Sequence, residues 1–466
     1  MAASTRYRFS QAWLPTGWCR NVVVTVDEAG DIAEILPGDD RPNATEVRGA
    51  AIAGMTNVHG HAFQRAMAGL AEHRSHAGGS TGNDSFWTWR ETMYEHAGRM
   101  SPAALEAIAA QLYAEMLKAG YTSACEFHYL HNRPDGLPYD DRLAMHKALI
   151  AAAGQTGIGL TLLPTLYQQA DFGGAQPTPR QRQFVLETDD YVALLSTLRG
   201  TATNSRQVEV GIAFHSLRAV SEPAMRAVLS ANHRCKVFHI HVAEQEREVQ
   251  SSREHLGRTP IEWLLQHADV NQRWCLVHAT HATRAEIEAM AAVNAVVGLC
   301  PTTEANLGDG FFPVETLLAA GGTFAIGSDS HISVSPTEEL RWLEYQARLL
   351  RRQRNVLAAE HESSSGAMLW SHASEAGARA GGRANGALAP GLRADIVVLD
   401  LDVPLLCGRS GDDIIDTFVF AGPGNAIRDV MVGGRWVVQD RQHLDERAIA
   451  GAYRDALQEV LGRTAT

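Results

Sequence analysis

Eight short apolar runs alternate with helical patterns through the middle of the chain, and this alternation restricts the fold more than any other feature. The first run ends in the stretch Ala51 to His61, and the others occupy 121–130, 158–167, 208–217, 236–244, 274–282, 294–303 and 323–331. Helical patterns fall between them at Ser101–Lys118, Tyr139–Ala153, Asp189–Leu198, Glu222–Ala231, Pro260–His267, Arg284–Ala292 and Val314–Ala320. Eight such units predict an α/β fold, a closed (β/α)8 TIM-like barrel whose active site lies where the C-terminal ends of the strands meet. The ends of the chain read differently. Residues 5–52 are short strands and turns, with Val22–Val26, a turn at Glu28–Asp31 and Ile32–Leu36 forming a hairpin pattern; a second hairpin surrounds Gly433-Gly434. The expectation is a small β-sandwich domain built from both termini (1–52 with 389–466) beside a barrel spanning 53–388.

Chemistry-bearing residues gather at the ends of the apolar runs. His59 and His61 close the first run one residue apart, so in a strand both imidazoles project from one face, whereas a helix would set them about 200° apart. On that pair alone, two surface histidines near a turn are an equally good reading. The fifth run, however, ends in His241 with Glu244 three residues on, the sixth in His278 and the eighth in Asp329. His239 lies a layer deeper and reads as a satisfied core residue. Three imidazoles and a carboxylate suit zinc or another divalent first-row metal, with a position left open for water. A binuclear centre would call for a bridging group such as a modified lysine on a middle strand. The fourth run ends in His215 instead, and Lys236 opens the fifth at the wrong end, which favours one metal.

Composition narrows the partners. The formal net charge is -12 over 466 residues, so no general basic field exists for nucleic acid or anionic membrane, and an acidic ligand needs local arginines. Six cysteines without a CxxC pair fit a reducing compartment, and no basic-then-apolar leader or run of 18 apolar residues is present. A cytoplasmic protein is expected.

The pattern His59-Gly60-His61, His241-x-x-Glu244, His278 and Ser328-Asp329 resembles the amidohydrolase superfamily, specifically its mononuclear deaminases, over nearly the whole chain. Longer stretches are more specific: HGHAFQRAMAGLAE (59–72), NDSFWTWRETMY (83–94), EFHYLH (126–131), FHSLRAV (214–220) and LCPTTEANLGDGFFP (299–313) are similar to the formimidoylglutamate deiminases of bacterial histidine degradation. Ala53, Thr56 and Gly60 stand where that family usually has proline, proline and serine, departures that touch packing and not ligands. The resemblance implies that His59, His61, His241 and Asp329 hold one divalent ion, most plausibly zinc, which would lower the pKa of water toward ~7. It implies that Asp329 takes the water's proton, that Glu244 delivers one to the departing nitrogen, and that His278 hydrogen-bonds the attacking water or the developing charge. The substrate implied is the small molecule N-formimidoyl-L-glutamate. Arg218 with His215, Arg90 with Tyr129, and Gln64 are the residues that would bind it, since two carboxylates call for arginine forks. Trp87 and Trp89 read as loop packing, and the Gly/Ser-rich stretch His76–Ser85 as a lid or a plain loop. A homodimer is expected. The alternatives are a nucleobase or aminoazaheterocycle deaminase with the same metal site, which would want aromatic stacking in place of paired arginines, and a non-catalytic barrel scaffold, against which the complete set of polar residues argues.

Overall fold

The computed structural model describes residues 4–39, 43–73, 85–203, 205–359, 363–422 and 424–462. All eight apolar runs are strands of one parallel sheet: Met55–Gly60, Tyr121–His128, Gly159–Leu166, the pair Val208–Val210 and Ile212–Phe214, Phe238–Val242, Trp274–His278, Val296–Leu299 and Thr323–Ile326, here called barrel strands one to eight. They neighbour one another in chain order. The sheet closes on itself at a parallel bridge between Gly60 and Asp329, where the Asp329 N–H donates to the His59 carbonyl (3.0 Å) and the His61 N–H to the Asp329 carbonyl (3.2 Å). The seam of the barrel is therefore made by the residues that carry the first motif and the last.

Strand four is broken at Gly211 for a steric reason. A Cβ there would lie 2.5 Å from the Leu163 side chain and 2.6 Å from that of Val237, so only glycine lets the neighbouring strands approach. The strands are buried on both faces and rich in Val, Ile, Leu and Phe, as a barrel wrapped by helices requires. Several expected helices form with matching bounds, including Glu222–Ala231, Pro260–His267 and Arg284–Ala292. The expected Tyr139–Ala153 helix is Ala144–Thr156, and Ala62–Met67, directly after strand one, is a 3-10 turn whose first N–H is held by the Glu126 carboxyl at 2.8 Å. Helices not anticipated are Phe86–Ala97, Glu246–Leu256, Pro301–Leu307, Pro336–Arg351, Ser365–Ala380 and Glu446–Leu461. The first of these starts on a capping box in which Ser85 and Thr88 satisfy each other's backbone N–H groups.

Both termini build a second sheet of eight strands hydrogen-bonded in one path. Thr45–Ala53 is its centre, parallel to Thr5–Leu14 on one side and antiparallel to Ile396–Leu399 on the other. Phe9, Val22, Val24, Ile32, Ile396 and Met431 form its apolar core. Thr45–Ala53 runs through Gly54 straight into barrel strand one, and a Cβ on Gly54 would meet Thr122 at 2.2 Å. Among the described residues no helix is long and apolar enough to cross a membrane.

Candidate metal centre and pocket

His59 and His61 leave strand one on the same face, as the two-residue period of a strand requires, and meet His241 from strand five and Asp329 beyond strand eight. The four ligand atoms lie within 4.8 Å of one another and all four residues are buried. Asp329 Oδ1 is 3.3 Å from His59 Nε2 and 3.2 Å from His61 Nε2, and His59 Nε2 is 2.9 Å from His241 Nε2. The other ring nitrogens of two of these histidines are committed: His61 Nδ1 donates to the Phe127 carbonyl (2.8 Å) and His241 Nδ1 to the His215 carbonyl (2.9 Å). Their Nε2 atoms therefore present lone pairs inward. Burial holds His59 neutral, its pKa lowered to about 3, and burial together with the neighbouring imidazoles keeps His241 well below the usual range. Burial opposes ionisation of Asp329, but its close contacts with the His59 and His61 rings and the charge of His278 outweigh it and hold the carboxyl well below its ordinary value. Converging lone pairs and a carboxylate repel unless a cation lies among them, so the donor set fits a divalent ion.

His278 and Asp329 sit in left-handed backbone, with φ of 68° and 43°, a conformation costly for residues with a Cβ and concentrated at functional sites. His278 Nδ1 lies 3.2 Å from Glu304, and its Nε2 is 3.9 Å from Asp329 Oδ2. Although burial disfavours its charge, Glu244, Glu304 and Asp329 together raise the His278 pKa to about 10. Glu244 is buried and its carboxyl is pushed up, by burial first and then by Asp329 and Glu248.

Several residues that brace the centre escape sequence reasoning. Glu304, on the helix Pro301–Leu307, accepts from the Cys300 N–H at 2.9 Å while orienting His278; its signals are its place five residues after the end of strand seven and its inclusion in the 299–313 stretch, neither of which assigns it a partner. Asn57 donates to Ser328 Oγ (2.6 Å), which contacts His331 Nδ1 (2.8 Å), so the turn carrying Asp329 is tied back to strand one. The same histidine explains Gly60: a Cβ there would lie 2.4 Å from His331 Cε1. Thr56 faces Ser123 Oγ at 2.8 Å.

All the expected pocket residues line one cavity beside these ligands: Gln64, Arg90, Tyr129, His215 and Arg218, with Glu244, His278 and Asp329 at its floor. Gln64 Nε2 donates to Tyr129 Oη (3.1 Å). Arg90 and Arg218 bring buried Nε atoms that have no hydrogen-bond partner, and no carboxylate lies within 4.0 Å of either guanidinium among the described residues. Burial, then the charge of Arg218, keeps His215 neutral. Trp89 lines the cavity, and Phe86, Tyr94, Tyr167 and Phe184 supply most of its apolar wall. His239 is a core residue as expected, its Nε2 2.9 Å from the Ala380 carbonyl, and Lys236 pairs with Glu209 (2.9 Å) away from the site. Of the stretch His76–Ser85, only Ser85 is among the described residues.

A parallel barrel carrying three imidazoles and a carboxylate at the C-terminal rim defines a class, the barrel hydrolases that depend on a bound metal. The chain belongs to the amidohydrolase family, whose profile matches residues 50–437. It is 48% identical over 451 residues to a formimidoylglutamate deiminase of Pseudomonas aeruginosa, covering 97% of this chain and 98% of that one. An 8-oxoguanine deaminase of the same species is 27% identical, with 94% of each chain covered. Among solved structures, the crystal structure of an amidohydrolase from Brucella melitensis superposes with a TM-score of 0.92 at 41% identity, over 98% of this chain and 100% of that one.

Proposed function

We propose that this chain hydrolyses N-formimidoyl-L-glutamate to N-formyl-L-glutamate and ammonia. The observation that carries the reading is a pocket in which two guanidinium groups without carboxylate partners, Arg90 and Arg218, face a rim of metal-type ligands. The 48%-identical deiminase supports it along the full length of the chain. Paired arginines suit a substrate with two carboxylates far better than a neutral aminated base.

His59, His61, His241 and Asp329 would hold the ion, for which we favour zinc. A divalent ion there would supply Lewis acidity and make water a nucleophile near neutral pH, with a water pKa of ~7. The rest of the chemistry falls to the side chains. Arg218 and Arg90 would bind the two carboxylates and so fix the formimidoyl carbon over the rim. Asp329, kept ionised, would accept the proton of the attacking water through Oδ2, the oxygen turned toward His278. His278, kept cationic and oriented by Glu304, would donate to the oxygen that develops charge. Glu244, raised by burial, would carry a proton to the departing nitrogen. Water adds to the formimidoyl carbon, the bond from that carbon to the terminal nitrogen breaks, ammonia leaves, and the new C=O completes the formyl group. We also read the protein as a cytoplasmic homodimer.

Ammonia release from a panel of formimidoyl amino acids and aminated bases tests the proposal. N-Formimidoyl-L-glutamate should have the highest kcat/KM. Faster turnover of guanine, 8-oxoguanine or another base would move the assignment to the nucleobase deaminases.

A further inference from the structure

Three arginines from segments that follow three different barrel strands meet on one indole. The Arg90 guanidinium carbon lies 4.4 Å from the centre of the Trp87 ring, Arg247 lies 4.5 Å away and Arg218 5.8 Å. Trp87 and Arg90 belong to the helix after strand one, Arg218 follows strand four, and Arg247 lies on the helix that begins just past Glu244. None of the three guanidiniums has a carboxylate within 4.0 Å among the described residues, in a chain whose formal net charge is -12. Three unpaired cations around one ring repel one another. The negative face of the indole offsets part of that repulsion, and a guanidinium within ~6 Å of the ring centre is in range of it.

We propose that Trp87 is a positioning residue for substrate recognition, and that Arg247 is a third, outer arginine acting through it. Trp87 holds Arg90 and Arg218 at the spacing a dicarboxylate needs before the ligand arrives, so that binding does not have to order them. Arg247, exposed and 4.5 Å from the centre of the same ring, steadies the ring and adds to the local positive potential that draws a dianion into an acidic protein. The inference rests on the deiminase reading for its substrate, but it makes a claim about dicarboxylate binding that can be measured without turnover.

The test compares wild type with Trp87→Leu, Trp87→Phe and Arg247→Met. Kinetics on N-formimidoyl-L-glutamate are followed at low and high salt, and calorimetry measures the affinity for glutarate, a dicarboxylate with no reacting group. Trp87→Leu should raise KM and the glutarate Kd by about 3- to 30-fold, the range one lost cation–π partnership spans, with a much smaller change in kcat. Trp87→Phe should recover most of the loss, which a general packing role for the larger ring would not predict. Arg247→Met should raise KM more at low salt than at high salt. Because Arg247 is exposed, that variant keeps the test open if Trp87→Leu folds poorly. The proposal is overturned if Trp87→Leu lowers kcat while leaving KM and glutarate affinity alone, if the Phe and Leu variants are equally impaired, or if Arg247→Met changes neither KM nor its salt dependence. Wild type that binds glutarate tightly yet releases no ammonia from N-formimidoyl-L-glutamate would overturn the activity and leave the arginine cluster standing.

Discussion

Replacing Arg218 by methionine tests substrate recognition most directly, because the side chain is buried at the pocket and its Nε has no partner within the protein. Methionine keeps much of the volume and removes the fork. A charge-assisted hydrogen bond contributes roughly 1.5–3 kcal/mol, and a guanidinium can make two to one carboxylate, so the loss is about 3–6 kcal/mol and kcat/KM should fall by at least ~10²-fold. Arg218→Lys keeps the charge but not the planar pair of donors, and should fall between the two. The assay is ammonia release from N-formimidoyl-L-glutamate and from two analogues, one lacking the α-carboxylate and one lacking the side-chain carboxylate, with bound metal and melting temperature measured on each variant. The loss should disappear on whichever analogue lacks the carboxylate that Arg218 holds, since specificity is a difference between two transition-state affinities. A methionine variant within about threefold of wild type, or one impaired equally on all three substrates, would show that Arg218 does not hold a substrate carboxylate.

Elemental analysis should find one divalent ion per chain, because Asp329 and three histidines are grouped so that they could hold one and no lysine joins that group among the described residues; full activity that requires two equivalents would refute this. Glu244→Gln should retain the ion and lose ~10²–10⁴ in kcat, as expected when only proton transfer is removed; loss of metal from that variant would make Glu244 a ligand. Glu126 gives a pH prediction. Burial lifts its carboxyl to about 8, against partial compensation from the Ala62 N–H and the Tyr113 hydroxyl. The folded state thus favours the protonated form: this contribution to stability is complete below the unfolded value of ~4.3, falls as pH rises, and is gone above the folded value. Glu126→Gln, which imitates the neutral acid, should remove a slope of up to ~1.4 kcal/mol per pH unit across that window in urea titrations. Parallel stability curves for the two proteins would show that Glu126 is already ionised when folded.

What could be read from the sequence followed from periodicity. A two-residue period places His59 and His61 on one face, and apolar runs bounded by turns give the eight strands, because a barrel buried on both sides needs near-continuous hydrophobic segments. His59, His61, His241 and Asp329 lie close together because each stands at the end of one of those strands, while Gln64, Arg90 and Arg218 reach the same cavity from the segments that follow the strands. What stayed hidden depends on distance in space. Glu304 reaches His278 across 26 residues, and Asn57 reaches Ser328 across 271. Neither contact has a local pattern. The helix Ser365–Ala380 was missed because Ala, Gly and Ser blur its apolar face; those small residues let it lie close to the barrel, with a Cβ on Gly377 only 3.3 Å from Thr56. Glu246–Leu256 was missed for the opposite reason: it is mostly charged and polar, with Glu248, Val249 and Ser252 its buried positions, and its Arg247 carries the contact to Trp87. Trp87 itself reads as packing, and it packs, but against guanidinium groups.

The left-handed residues along the rim bear on how such a protein can be changed. Ala243, His278, Asp329 and His331 have φ of 52°, 68°, 43° and 58°, and each forgoes on the order of 1 kcal/mol of backbone preference that glycine would recover. All four side chains are buried, and His278 and His331 are hydrogen-bonded to Glu304 and Ser328, so truncation to glycine would lose more in packing and hydrogen bonds than the backbone gains, and the surrounding contacts hold the strain in place. Directed evolution toward a hardier enzyme has its free room elsewhere, in the terminal sheet and the outer helices.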